Sequence, residues 1–358
     1  MSKIKTIHIV EALGGGVYTY FVNLSNHFGE RQHIETTIIY SDQRPEINPL
    51  NVRRDFHESV NLLPVQMCVK PSLYHDFKTL LVLIKHIKRL RPNIVHLHSS
   101  RMTVLGRLAH VFSFSNSKLF YTPHGYSFLK KDVSPQKQKA YYLVEKYFAK
   151  LGGSSIACGD TEFNLAKKFS KAYLVRNGVN LKTFNKSKSD RKNHDFTIGI
   201  LGRITFARNP ELFNRVAQRH PKIRFLWIGD GELRHLITSK NIKVTGWFNE
   251  REEALEQLKS VDIYLQTSLW EGLPMAVLEA MTMKKPVLAT NVIGNKDIVL
   301  HGKTGYLFDN EEELVTYIEL LQDKAHRLKL GENGESRVKE FFDSSKNFKN
   351  LEAIYLKQ

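Results

Sequence analysis

Short runs of apolar and β-branched residues recur along the chain, several of them followed by longer stretches whose apolar residues fall three and four apart. In the first half the runs cover 6–10, 36–40, 94–98, 119–122 and 155–157, each of strand length. Helical patterns lie between several of them, as at 17–27 and 77–90. The second half repeats the scheme at 197–201, 223–228, 242–245, 263–266 and 287–289, and Gly202, Gly229, Gly246 and Gly272 follow closely on four of these. Strands alternating with helices predict parallel sheets, right-handed crossovers and ligands at the carboxyl ends of the strands. Two such series predict an α/β chain of two facing Rossmann-like, doubly wound domains with a cleft between them.

The polar stretch 185–195, NKSKSDRKNHD, reads as the linker. The expected domains are 1–187 and 188–338, with 339–358 as a helix packing back on the first. A length of 358 residues suits two domains, and 42% hydrophobic with 25% charged residues describes a soluble globular chain. No uninterrupted apolar stretch reaches the roughly 18–20 residues that cross a bilayer. The run 7–10 is too short for a secretory core and leads into glycines. Cys68 and Cys158 have no pairing pattern that predicts a disulfide framework or a zinc site. A cytoplasmic protein is expected.

Charge changes the picture when it is divided along the chain. Residues 1–192 hold 30 Lys and Arg against 13 Asp and Glu, a net of +17, whereas 193–358 hold 23 of each. The whole excess therefore sits in the first half. It suits an anionic partner: nucleic acid, an anionic membrane surface or a phosphorylated substrate. No nucleic-acid-binding motif accompanies it. The stretch 77–90, with Lys78, Lys85, Lys88 and Arg89, fits a crossover helix on its own sheet or an amphipathic helix at a membrane surface.

Two places carry candidate chemistry. Gly14, Gly15 and Gly16 follow the first strand and precede a helix, where glycines allow close approach and free amides favour phosphate. The spacing is not that of a dinucleotide fingerprint. The second place is more specific: after the strand 263–266 comes EGLPMAVLE, two glutamates eight positions apart across a turn that enters a helix. With the helix starting near Leu273–Pro274, Pro274 reads as a first-turn proline and Glu279 lies about two turns in. One carboxylate at the helix mouth, free amides between and a second carboxylate beyond suit a sugar, a pyrophosphate and a ribose in order.

With these residues the chain resembles the family 4 glycosyltransferases, retaining enzymes of the glycosyltransferase B fold. The resemblance extends over IVHLHSS at 94–100, TPHG at 122–125, VRNGVN at 175–180, GILGR at 199–203, WIGDGELR at 227–234 and PVLAT at 286–290. It implies that Gly15 and Gly16 approach the donor phosphates and sugar, and that His124 hydrogen-bonds the donor sugar. Arg203 would pair with the pyrophosphate, and Arg208 would take the place of a second cation that is often lysine. Glu271 would contact the transferred sugar, Glu279 would hold the ribose diol, and Gly202, Gly272, Leu273, Pro274 and Met275 would line the nucleotide site through backbone. The resemblance also implies a nucleotide-sugar donor, a uridine diphosphate sugar, and a hexose or N-acetylhexosamine as the transferred group. It implies a saccharide acceptor on a polyprenyl diphosphate carrier, bound by the first domain at the inner face of the membrane, as in capsule or O-antigen synthesis. No Asp-x-Asp triplet occurs, so no resident metal or Mg²⁺ site is predicted. The alternatives are a nucleotide-sugar epimerase of the same fold and, behind it, a basic nucleic-acid-binding protein.

Overall fold

The computed structural model describes residues 3–43, 47–68, 72–184 and 195–357. The expected linker lies outside them except for Asp195. The chain forms two compact units, one of Met1–Leu129, Val133–Asn177 and Ser345–Gln358, the other of Lys130–Asp132 and Gly178–Ser344. Apart from the short piece Lys130–Asp132, it passes between them after Asn177 and again after Ser344, where the sequence reading placed the changes at 187/188 and 338/339.

Among the described residues the first unit holds seven parallel strands: β1 (Ile4–Val10), β2 (Ile34–Tyr40), β3 (Asn61–Pro64), β4 (Ile94–His98), β5 (Lys118–Thr122), β6 (Ser154–Ala157) and β7 (Ala172–Leu174). Their order is β3-β2-β1-β4-β5-β6-β7. Burial runs almost unbroken through β1 and β4 because helices cover both faces of the sheet. One core joins the helix Gly16–Gly29, through Tyr20, Phe21, Leu24 and Phe28, to Phe348, Leu351 and Tyr355 of the helix Ser344–Lys357. The other gathers Leu83 and Ile87 of the helix Leu73–Leu90 with Leu105 and Ala109 of the helix Leu105–Phe112. The helix Leu73–Leu90 is thus a crossover helix packed on its own sheet. Its opposite face leaves Leu73, Tyr74, Phe77 and Leu81 in solvent.

Among the described residues of the second unit six parallel strands form its sheet: β8 (Thr197–Leu201), β9 (Arg224–Ile228), β10 (Ile242–Val244), β11 (Ile263–Gln266), β12 (Val287–Thr290) and β13 (Gly305–Phe308), in the order β10-β9-β8-β11-β12-β13. Strand order reverses between β1 and β4 in one sheet and between β8 and β11 in the other. At such a reversal the outgoing connections diverge to opposite faces and leave a crevice beyond the carboxyl ends. Both clusters of predicted site residues lie at these points.

Candidate functional site

In the second unit β8 leads into Gly202, and β11 into Thr267 and Ser268. Gly202 has φ +142°, a conformation rare for other residues, and a methyl group there would come within 3.3 Å of Nε and Nη2 of Arg208. The missing side chain lets the guanidinium lie against the strand end. Arg208 closes a 3-10 turn at Phe206–Arg208, and its carbonyl accepts from Thr267 Oγ1 at 2.5 Å. Asn209 then caps the helix Pro210–Arg219, accepting from the Leu212 amide at 3.3 Å. The arginine is therefore fixed by the strand on one side and a capped helix on the other.

Arg208 donates through Nη1 to Glu271 Oε1 at 2.7 Å. Gln266 Nε2 and Ser268 Oγ donate to the same oxygen, each at 2.7 Å. Glu271 Oε1 is thus held by three donors, one of them charged. Arg203 is exposed in the turn after Gly202. Gly272, Leu273 and Pro274 follow Glu271, and a side chain on Gly294 would meet the Gly272 carbonyl at 2.5 Å, so the turn is closely packed from behind.

The next helix runs Met275–Thr282, with Pro274 as its N-cap in extended geometry. This corrects the first-turn reading of Pro274, and Glu279 lies little more than one turn in. Every residue of that helix is buried. Glu279 is 4% exposed and is ion-paired with Arg251 Nη2. Burial pushes its carboxyl above the ordinary value, against the opposing pull of the Arg251 guanidinium. Asp230 is paired with Arg234 at 2.7 Å, as a turn residue would be.

In the first unit Gly15 has φ +54° and caps the helix that Gly16 begins, with open space where a side chain would stand. His124 follows β5 with φ +52°, an unusual conformation for histidine. Its loop is braced by Glu162, which accepts from the Gly125 amide at 2.8 Å and the Cys158 amide at 2.9 Å. His124 Nε2 lies 3.0 Å from His98 Nδ1, and His98 Nε2 lies 3.0 Å from His8 Nδ1. Burial lowers the pKa of His8 and His124 to about 3, and that of His98 well below its ordinary value.

His8, His96 and His98 bring ligand-capable nitrogens within 4.8 Å of one another. They do not make a free donor set, because both nitrogens of His96 are already bonded, to the Tyr355 hydroxyl at 2.5 Å and to Thr122 Oγ1 at 2.9 Å. Sequence reasoning passed over Gln266, Ser268, Arg251, His8 and His98. The signal was present in part: Gln266 to Ser268 are polar where an apolar strand ends, and His96 and His98 alternate in IVHLH, which puts both on one face of β4.

Similarity to known proteins agrees with this architecture. Residues 14–183 match the family described as Glycosyltransferase Family 4, and residues 181–337 match the family Glycosyl transferases group 1. The chain is 27% identical over 326 residues to the Escherichia coli UDP-Gal:alpha-D-GlcNAc-diphosphoundecaprenol alpha-1,3-galactosyltransferase, covering 81% of this chain and 82% of that one. It is 24% identical over 358 residues to the capsular polysaccharide biosynthesis glycosyltransferase CapM of Staphylococcus aureus, covering 92% and 91%. Among solved structures, the sucrose-phosphate synthase of Thermosynechococcus elongatus superposes with a TM-score of 0.80 at 17% identity, over 99% of each chain. Anabaena HepE in complex with UDP and glucose does so with a TM-score of 0.76 at 14% identity, over 99% of this chain and 100% of that one. Two parallel-sheet α/β units of the glycosyltransferase B type, matched along nearly their whole length, place the protein: the chain is a glycosyltransferase and belongs to family 4.

Proposed function

We propose that the chain transfers a hexose or N-acetylhexosamine from a uridine diphosphate sugar to a saccharide on a polyprenyl diphosphate carrier, in the assembly of a cell-surface polysaccharide. The observation that carries the reading is the Arg208–Glu271 pair at the strand-order reversal of the second sheet. A fixed cation and a fixed carboxylate stand there beside the start of the buried helix Met275–Thr282. Uridine diphosphate as the donor's nucleotide is supported by the substrate in the name of the Escherichia coli relative and by the UDP bound to HepE.

In the reaction the bond between the sugar's anomeric carbon and the β-phosphate oxygen breaks, and one to the acceptor oxygen forms. The acceptor oxygen attacks the face that the phosphate leaves and passes its proton to that phosphate, so the anomeric configuration is retained without a covalent sugar–protein intermediate. Charge builds on the β-phosphate. Arg208, Arg203 and the amides of 272–275 would stabilise it, the amides adding the partial positive charge of a helix N-terminus. Removing one such preorganised donor typically costs about 10²–10³ in kcat. With these cations in place no resident metal is needed, and activity should survive treatment with a chelator. Glu271 would bind the sugar's hydroxyls, Glu279 the ribose diol, and His124 of the first unit the donor sugar, with Gly15 and Gly16 leaving room for it.

The acceptor assignment is supported by the diphosphoundecaprenol substrate in the name of the Escherichia coli relative. Two features fit a carrier embedded in an anionic leaflet: the +17 of residues 1–192, and the outward Leu73, Tyr74, Phe77 and Leu81 beside Lys78 and Lys85. Among the described residues no helix is long and apolar enough to cross a membrane, so contact would be peripheral, at about 1 kcal/mol per basic residue near the surface.

The test is a thermal-shift and hydrolysis screen of nucleotide sugars. One uridine diphosphate sugar should raise the melting temperature and be slowly hydrolysed, and Glu279→Ala should weaken uridine nucleotide binding. Unchanged affinity in that variant sinks the ribose assignment, and epimerisation of the donor without any acceptor sinks the transferase reading.

A further inference from the structure

Behind His124 lies a row of imidazoles that the reaction above leaves unused. The row runs from His8 Nδ1 to His98 Nε2, and from His98 Nδ1 to His124 Nε2, at 3.0 Å for each step. Its inner end, His8 Nε2, is buried without a hydrogen-bond partner. Its outer end, His124, is partly exposed. All three rings are neutral at ordinary pH, since burial keeps each pKa far below the usual imidazole value.

A neutral imidazole has one N–H and one lone pair, so two hydrogen bonds in series must point the same way. Run outward, His8 Nδ1–H donates to His98 and His98 Nδ1–H donates to His124 Nε2. The group stranded at the inner end is then a lone pair, and His124 keeps its proton on Nδ1. Run inward, the stranded group is an N–H. Buried N–H groups without an acceptor are the rarer case in folded proteins, because an unmet donor forfeits its whole hydration. The outward direction is therefore favoured. His96 does not enter the row, being closed off by Tyr355 and Thr122.

From this geometry we infer that His8 and His98 are positioning residues that hold His124 as the Nδ1–H tautomer, so that His124 meets the bound sugar as a hydrogen-bond donor. The inference rests on the reading of His124 as the donor-sugar contact. It adds which atom carries the proton and what fixes it there. A donor at this position reads a sugar oxygen through its lone pairs. The reverse tautomer would present an acceptor and favour a hydroxyl proton instead.

The experiment uses the full chain with ¹⁵N-labelled histidine and long-range ¹⁵N–¹H correlation spectra, the His124 signals being assigned by their loss in His124→Gln. The proton is expected on Nδ1 of His124, and finding it on Nε2 overturns the inference. In turnover with a nucleotide sugar, His98→Phe should lower kcat about tenfold to hundredfold, the usual scale for losing an orienting partner, with little change in donor KM. His98→Gln, whose amide can both donate and accept, should recover part of that loss. Equal losses in both variants with an unaltered His124 tautomer would mean packing alone and would also overturn the inference. A wild-type protein that consumes no nucleotide sugar would defeat the transferase reading, while the tautomer measurement would still decide the inference.

Discussion

Acid should unfold the first unit well before it disturbs the second. His8, His96 and His98 are fully buried, and burial lowers the pKa of each, that of His8 to about 3. In the folded state they stay neutral, whereas in the unfolded chain they titrate near 6.5. The unfolded state therefore binds more protons below that value. The stability the rings contribute is intact above pH 6.5, falls as the pH drops through it, and goes on falling toward the folded pKa. At pH 5.5 the loss is on the order of 1 kcal/mol for each ring and a few kcal/mol for the group, against a usual total of about 5–15. Glu145, whose carboxyl burial raises, takes up its proton more readily when folded and returns part of this.

The assay is denaturant unfolding at pH 7.5 and 5.5 with two probes. Trp227, Trp247 and Trp270 all belong to the second unit, so tryptophan fluorescence follows that unit alone. Amide hydrogen exchange in β1 and β4 follows the first. Acid should lower the protection of β1 and β4 far more than it moves the fluorescence midpoint, and His8→Phe should remove part of the pH dependence. Equal protection at both pH values, or the same slope in that variant, would refute the reasoning.

Gly202→Ala should destabilise the second unit by about 1–3 kcal/mol, since its φ of +142° is strained for alanine. It should also cut kcat by crowding Arg208; fluorescence-monitored unfolding and turnover with a nucleotide sugar check the two effects. Lys285 is 1% exposed and donates through Nζ to the carbonyls of Lys259 at 2.6 Å and Val261 at 2.7 Å. Lys285→Met should therefore cost about 1–3 kcal/mol by leaving the buried Val261 carbonyl and the part-buried Lys259 carbonyl unmet, and the same unfolding assay would expose a neutral result.

The alternation of strand and helix was legible because parallel strands between two helical layers must be apolar throughout. The runs expected at 94–98, 197–201 and 263–266 are the strands observed. The strands that went unread, β3, β7 and β13, are short and stand at the edges of their sheets. With a neighbour on one side only, they need no unbroken apolar run: β3 ends in Pro64, and β7 is only half-buried. The helix over EGLPMAVLE was readable from its glutamate spacing, but it starts at Met275 and not near Leu273–Pro274, because Pro274 takes extended geometry before the first turn.

Within the site, the motifs carried Arg208, Glu271 and Glu279 but not the groups that hold them. Gln266 and Ser268 are near Glu271 in sequence, yet only the turn after β11 aims them at one oxygen. Arg251 reaches Glu279 from a helix 28 positions away, and His8 meets His98 across 90. The histidine pairing follows from strand register, His8 lying beside His96 in the ladder, and the Arg251–Glu279 pair from how two helices pack; no local pattern encodes either.

The helix Ser344–Lys357 has a bearing on how the chain is made. Its Phe348, Leu351 and Tyr355 complete a core begun by Val10 and Leu13, and its Glu352 is bound by His27, Arg31 and His33 at 3.0–3.1 Å. During synthesis part of one hydrophobic face of the first sheet stays uncovered until residues 345–357 have followed the second unit out of the ribosome. The second unit, apart from residues 130–132, is continuous from Gly178 to Ser344 and has no such delay. Of the two units the first to emerge should be the last to finish folding, and in that interval its bare apolar patch is open to a chaperone.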